Sequence, residues 1–193
     1  VDIGAVVRLA PIKDVKTMIY AFFELHERLP KVRLHIMGGV DDEEYGGECH
    51  ALVETLGVRD LIFTGRVNVV EYMEKLDFTI LTSISEGQPL SVLESLAARR
   101  PCVTTEVGCC RELLEGAPGD DFGVAGFLTP PMYRKGLADA MERMCTSRAR
   151  RIEMGERGQR RVATYFLHEQ MLANYRALYD ETARAFDLPR EGE

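Results

Sequence analysis

The sequence predicts an α/β fold: a doubly wound parallel sheet of about six strands, with helices on both faces and a helical C-terminal end. Three observations predict it. Short β-branched runs alternate with helical apolar periods along most of the length. The segments joining successive strands are too long for hairpins, and crossovers of about ten or more residues force parallel pairing. Most of the Gly and Pro punctuation falls just after the strands, where ligands bind in such sheets.

The elements follow in order. Ile3–Val7 reads as a buried strand, and Lys16–Leu29 as a helix with Met18, Ile19, Phe22, Phe23 and Leu25 near one face. Val32–Met37 is the second strand, ended by Gly38-Gly39, and Glu43–Leu56 is a helix closed by Gly57. Leu61–Thr64 is a strand ending at Gly65, Val69–Leu76 a short helix, and Phe78–Leu81 the fourth strand. Leu90–Ala98 is a helix, Cys102–Thr104 a strand, Arg111–Glu115 a short helix and Gly123–Leu128 the last strand. From Met132 to about Phe186 the pattern is almost wholly helical, and Arg190–Glu193 reads as a frayed tail.

Composition narrows the function. The 193 residues are 46% hydrophobic and 28% charged, which fits one ordinary domain. A chain of this length buries roughly 70% of its unfolded surface and needs no disulfide or metal staple. Subtracting 31 acidic from 24 basic residues gives −7, which argues against a nucleic-acid or anionic-membrane binder. No apolar run reaches the roughly 18 residues of a membrane span, and no signal peptide is visible. Cys49, Cys102, Cys109, Cys110 and Cys145 form an odd, scattered set without a C-x-x-C pair, so a reduced, cytoplasmic protein is expected. Val1 starts without Met and almost inside a strand, so an excised piece of a longer protein is expected.

The strand ends carry the chemistry. After the first strand comes Arg8-Leu-Ala-Pro-Ile-Lys13, two cations five apart. A guanidinium fork and a compact ammonium suit a diphosphate, although two solvated loop cations would read the same way. After the fourth strand comes Ser83-Ile-Ser-Glu86-Gly87-Gln88-Pro89-Leu90, with Glu94 in the opening turns of the following helix. Gly87 permits close backbone approach, Pro89 suits a helix start, and the helix N-terminus directs free N–H groups at the crevice. Glu86 and Glu94 can accept hydrogen bonds from two polyol groups of one ligand, because a carboxylate offers two accepting oxygens.

These residues resemble a known family: the C-terminal, nucleotide-sugar-binding domain of retaining glycosyltransferases of the GT-B fold, family 4. Arg8, Leu9 and Lys13 match its Arg-Leu-x-x-x-Lys run, and Glu86 and Glu94 its Glu-x7-Glu signature. Val107, Gly108, Glu112 and Leu113 match a later motif, and Gly126, Leu128, Pro130 and Pro131 the one after it. The wording around Pro11–Asp14 and Ser85–Leu90 is similar to the PelF branch, cytosolic enzymes of Pel exopolysaccharide synthesis. Two departures stand out: Val7 and Asp14 replace the glycines that often flank the Arg and Lys, and Gln88-Pro89 replaces the commoner Phe-Gly.

The resemblance implies one Rossmann-like donor-binding domain over residues 1–193, half of a GT-B fold, with the N-terminal acceptor domain absent from this chain. Catalytic work would fall to Arg8 and Lys13 on the donor diphosphate and Glu86 on the transferred sugar. Glu94 would take the ribose diol, the backbone of Gly87, Gln88, Pro89 and Leu90 the sugar and phosphate oxygens, and Gly65, Arg66 and Val67 the base. The activity implied is hexosyl transfer from a nucleotide-sugar, UDP-glucose foremost, onto a glycan or lipid-linked acceptor. The isolated fragment would transfer little or nothing. No metal and no cofactor is expected, and the sequence contains no Asp-x-Asp. The alternatives are a nucleotide-sugar epimerase of the same fold and a non-catalytic nucleotide-sugar module.

Other features read as structural. Arg148, Arg150, Arg151, Arg157, Arg160 and Arg161 read as a solvated helix face, and Asp41-Asp42 and Asp120-Asp121 as solvated loops. The four histidines share no ligand spacing, so zinc is not expected. Cys109 and Cys110 read as small packing residues. Tyr165, Phe166, Met171, Leu172, Tyr175, Leu178 and Tyr179 read as a core stripe, part of which would be exposed if it packs on a missing domain. No G-x-G spacing occurs among the seventeen glycines, which excludes the usual nicotinamide fingerprint.

Overall fold

The computed structural model describes residues 1–186. Its strands are β1 (Asp2–Val6), β2 (Arg33–Met37), β3 (Leu61–Gly65), β4 (Phe78–Leu81), β5 (Cys102–Thr105) and β6 (Gly126–Thr129). The helices are α1 (Val15–Arg28), α2 (Glu43–Leu56), α3 (Val69–Met73), α4 (Leu90–Ala97), α5 (Cys110–Glu115), α6 (Arg134–Cys145), α7 (Arg148–Tyr165) and α8 (His168–Ala185). The expected tail, 190–193, lies outside the described residues.

All neighbouring strands pair in parallel, in the order β3-β2-β1-β4-β5-β6. The chain winds outward from β1 to β3, returns to the middle, and winds outward again from β4 to β6. That reversal leaves a crevice above the C-terminal ends of β1 and β4. The two sides of the seam differ: β1 pairs with β2 over five residues, but with β4 only at Ile3↔Phe78 and Gly4↔Thr79.

Packing follows the apolar periods. One sheet face is covered by α1, α2 and α6 through Met18, Phe22, Leu25, Cys49, Leu137 and Met141. The other is covered by α3, α4 and α5 through Met73, Val92, Leu96 and Leu113. Each such side chain, fully buried, contributes about 1.5–3 kcal/mol.

The C-terminal end differs from the expected pattern in two ways. The helical run breaks into three helices, because Ser147 caps α7 with a side chain accepting from the Arg150 N–H, and Leu167 is extended before α8. The stripe expected as core, or as exposed in part, divides: Phe166 packs against the cluster around Leu96 and Leu113, and the remaining residues lie open. None of the residues of α8 is buried, and Tyr175, Leu178 and Tyr179 are 52%, 55% and 68% exposed.

Two expected surface features are interior ones. Arg161 is 1% exposed; its Nε meets Asp120 Oδ2 at 2.5 Å, and its other nitrogens donate to the carbonyls of Leu113, Leu114 and Gly123. It thereby satisfies the orphan carbonyls that end α5. Asp120, expected in a solvated loop, has its carboxyl held below the usual range by the Arg161 guanidinium. Arg151 is also buried, donating to the carbonyls of Met144 and Cys145 at the end of α6. A run of arginines looks like a solvated face until some are needed to terminate neighbouring helices.

Candidate functional site

The crevice holds a pocket of about 610 Å³. Arg8 and Lys13 reach it from the loop after β1, Glu86, Gln88, Pro89, Leu90 and Ser91 from the loop and helix start after β4, and Arg66 and Val67 from the end of β3. The lining carries Arg8, Lys13 and Arg66 against one carboxylate, Glu86, in a chain of net charge −7. That local excess suits an anion.

The loop after β1 is set by a short 3-10 turn, Pro11–Lys13, that ends at Asp14. Asp14 has φ 47 and ψ 48, the left-handed region that glycine or a short polar residue adopts most readily. That conformation accounts for an aspartate standing where the resembled family often has glycine. Asp14 also caps α1, accepting from the Thr17 N–H at 3.4 Å. The turn is fastened to the other half of the site. The Ile84 N–H donates to the Ile12 carbonyl at 2.9 Å, and the Thr82 hydroxyl to the carbonyls of Lys13 and Asp14.

Lys13 Nζ sits 2.6 Å from Glu86 Oε1, with both side chains largely buried. The Ser83 hydroxyl donates to the same oxygen at 2.6 Å. Arg8 is different: its guanidinium lies at the rim, 62% exposed, with Nη1 2.5 Å from Asp41 Oδ2. Asp41 was expected in a solvated loop; its side chain is half exposed, yet it is the partner that orients Arg8.

The backbone of Glu86–Leu90 is shaped from behind. The Cys109 N–H donates to the Gly87 carbonyl at 3.0 Å. Gly108, at φ 51, lies so close that a Cβ there would stand 2.2 Å from the Gly87 oxygen and 2.4 Å from the Glu86 oxygen. Gly87 itself has no positive φ, and a side chain there would meet open space. Pro89 caps α4 without any side-chain hydrogen bond, so the first N–H groups of the helix face the pocket free.

Not every expected site residue lines the pocket. Gly65 ends β3 at φ 66 beside it, and Gly87 contributes backbone, but neither is among the lining residues. Glu94 is exposed on α4, one turn past Leu90 on the same side, and also lies outside the lining. Gly38, at the punctuated end of the second strand, lines the pocket as the strand-end rule predicts, and Val7 lines it beside Arg8; Val6, Met37, Val69 and Ser91 line it without having been singled out. Only the strand order, which brings β1, β2 and β4 side by side, reveals them.

Cys109 and Cys110 stand behind the loop, and burial pushes both thiols up, away from the thiolate a nucleophile needs. All five cysteines are free. Among the described residues, no group of three or more His, Cys, Asp or Glu side chains could hold a metal ion, and no helix is long and apolar enough to cross a membrane.

The chain is similar to known proteins in both sequence and fold. The chain is 29% identical over 135 residues to N-acetyl-alpha-D-glucosaminyl L-malate synthase of Bacillus anthracis, a match covering 69% of this chain and 34% of that protein. It thus spans about a third of that relative's length. Its fold matches the C-terminal domain of LpcC, a group 1 glycosyl transferase of Francisella tularensis, with a TM-score of 0.75 and 21% identity over 86% of each chain. It also matches Anabaena HepE in complex with UDP-glucose, with a TM-score of 0.76 and 21% identity over 91% of this chain and 48% of that one. The family model described as "Glycosyl transferases group 1" matches residues 1–147, and this chain belongs to that family.

Proposed function

We propose that this chain is the donor-binding half of a retaining glycosyltransferase that moves a hexose from a nucleoside diphosphate sugar to a glycan or lipid-linked acceptor. UDP-glucose is the leading donor, and a PelF-like role in exopolysaccharide synthesis is the narrower reading. One observation carries the proposal: a single crevice at the β1/β4 switch point gathers Arg8, Lys13, Glu86 and the uncapped start of α4. Arg8 and Lys13 hold the diphosphate, and the free N–H groups at Leu90 and Ser91 add the positive end of a helix. Negative charge grows on the leaving diphosphate as the sugar departs, and these donors stabilise it there without a metal ion. Glu86 accepts from the hydroxyls of the sugar. Lys13 and Glu86 touch each other, so the scissile bond lies where cation meets acid rather than between two distant grips. The base lies toward Arg66 and Val67, and Glu94 reaches the ribose by a rotamer change from its present exposed position. A preceding domain binds the acceptor, and the protein works in the cytoplasm.

Support comes from the family match and from a fold shared with a protein solved with UDP-glucose. Titration calorimetry with UDP-, GDP- and ADP-sugars, in buffer with and without EDTA, tests the reading. Uridine-selective binding that EDTA leaves unchanged is the expected result. A guanine or adenine preference overturns the PelF-like assignment, loss of binding in EDTA overturns the metal-free reading, and no binding of any nucleotide overturns the proposal.

A further inference from the structure

We infer that Ser83 is a positioning residue for Glu86, holding the carboxylate at the sugar end of the pocket when Lys13 is drawn to the diphosphate. The inference rests on the nucleotide-sugar reading above. Ser83 is 0% exposed and is not among the residues that line this pocket, so it does not meet a ligand there itself. Its hydroxyl and the Lys13 ammonium both donate to Glu86 Oε1 at 2.6 Å, and no protein group among the described residues donates to Oε2. Two donors on one oxygen fix the carboxylate plane and leave the second oxygen for a ligand hydroxyl.

The two donors behave differently once an anion arrives. A diphosphate beside Lys13 competes for its ammonium, the stronger and more mobile of the two partners. A neutral, buried hydroxyl has no such alternative: left without an acceptor it carries the full cost of an unpaired polar group. Ser83 is also pinned on both sides. Its carbonyl accepts from the Thr105 hydroxyl at 2.7 Å, where β5 ends, and the next residue, Ile84, donates to the turn at Ile12. Thr105 is 2% exposed. The chain of contacts from β5 through Ser83 thus holds Glu86 in place independently of the phosphate-binding cations.

The test is calorimetry on this chain with UDP-glucose, GDP-mannose and ADP-glucose, each paired with its free nucleoside diphosphate, for wild type, Ser83→Ala, Glu86→Gln and the double variant. Ser83→Ala is expected to weaken the sugar nucleotide about ten- to a hundredfold, the scale of one charge-assisted hydrogen bond, while the free diphosphate binds as before. In the Glu86→Gln background the same change is expected to add less than about twofold, because the two residues act as one unit. Ser83→Cys, similar in size with a weak donor, is expected to fall between, and it replaces Ser83→Ala if that variant does not fold. Equal loss of sugar nucleotide and free diphosphate, no loss of either, or fully additive variants would each overturn the inference while leaving the donor-site reading intact. A wild type that binds no nucleotide overturns both.

Discussion

Replacing Gly108 with alanine is the sharpest test of how the pocket is built, because Gly108 is not among the lining residues and abuts the backbone of the loop in front of it. Two costs follow from its geometry. At φ 51 a residue with a Cβ is strained, at about 1–2 kcal/mol. The new Cβ would also stand 2.2 Å from the Gly87 oxygen, whereas ordinary contact begins at 3.4 Å. The Glu86–Gly87 backbone must therefore retreat by about 1 Å, and a misplacement of that size can cost about a hundredfold when it reaches reacting groups. The Gly87 oxygen that the new Cβ would meet is also the acceptor of the Cys109 N–H, so its retreat would stretch that hydrogen bond as well. The expected result is a melting temperature lower by roughly 2–8 °C, at about 2–4 °C per kcal/mol for a domain this size, with sugar-nucleotide affinity falling by at least tenfold. Differential scanning calorimetry and titration calorimetry read the two effects separately. Unchanged affinity alongside an unchanged melting temperature would refute the claim that Gly108 sets the position of the loop.

Four further outcomes are expected. Arg8→Ala should weaken nucleoside diphosphate binding about ten- to a hundredfold and flatten its salt dependence, measured by titration at two ionic strengths; an unchanged dissociation constant removes Arg8 from the site. Asp120→Ala should destabilise the fold by about 3–5 kcal/mol in urea melts, because it strands the buried Arg161 guanidinium. The Asp120 carboxyl is held below its ordinary value of 3.8, so its contribution is full above that pH and lost as pH falls through the lower folded value; acid unfolding of the Asp120→Asn variant should lack that step. Deleting residues 168–193 should leave the melting temperature within about 2 °C, since none of the residues of α8 is buried; a larger drop would show that the helix supports the core.

Much of this molecule was legible in its sequence, for identifiable reasons. The strands and most helix bounds follow from local periodicity, and the long crossovers leave parallel pairing as the only arrangement. Arg8, Lys13 and Glu86 share a crevice because the strand ends of a doubly wound sheet converge there. What the sequence hid are the contacts made across the fold. Asp120 and Arg161 stand 41 residues apart, and nothing local distinguishes Arg161 from the exposed arginines beside it. Ser83 looks like a loop serine until its hydroxyl is seen on Glu86. The apolar side chains of α8 carry a core-like period but lie exposed, and pattern alone cannot tell which part of such a stripe is covered. Gly65 and Gly87 shape the backbone rather than line the pocket, a distinction that residue type cannot make.

The short ladder between β1 and β4 has a consequence for how the protein responds to a ligand. Two rungs join the halves of the sheet near the starts of β1 and β4, and beyond the far ends of the same strands Lys13 meets Glu86 across 73 positions of chain. A molecule that grips both loops acts as a clasp across the shortest ladder of the sheet, so its free energy of association adds to the stability of the folded chain.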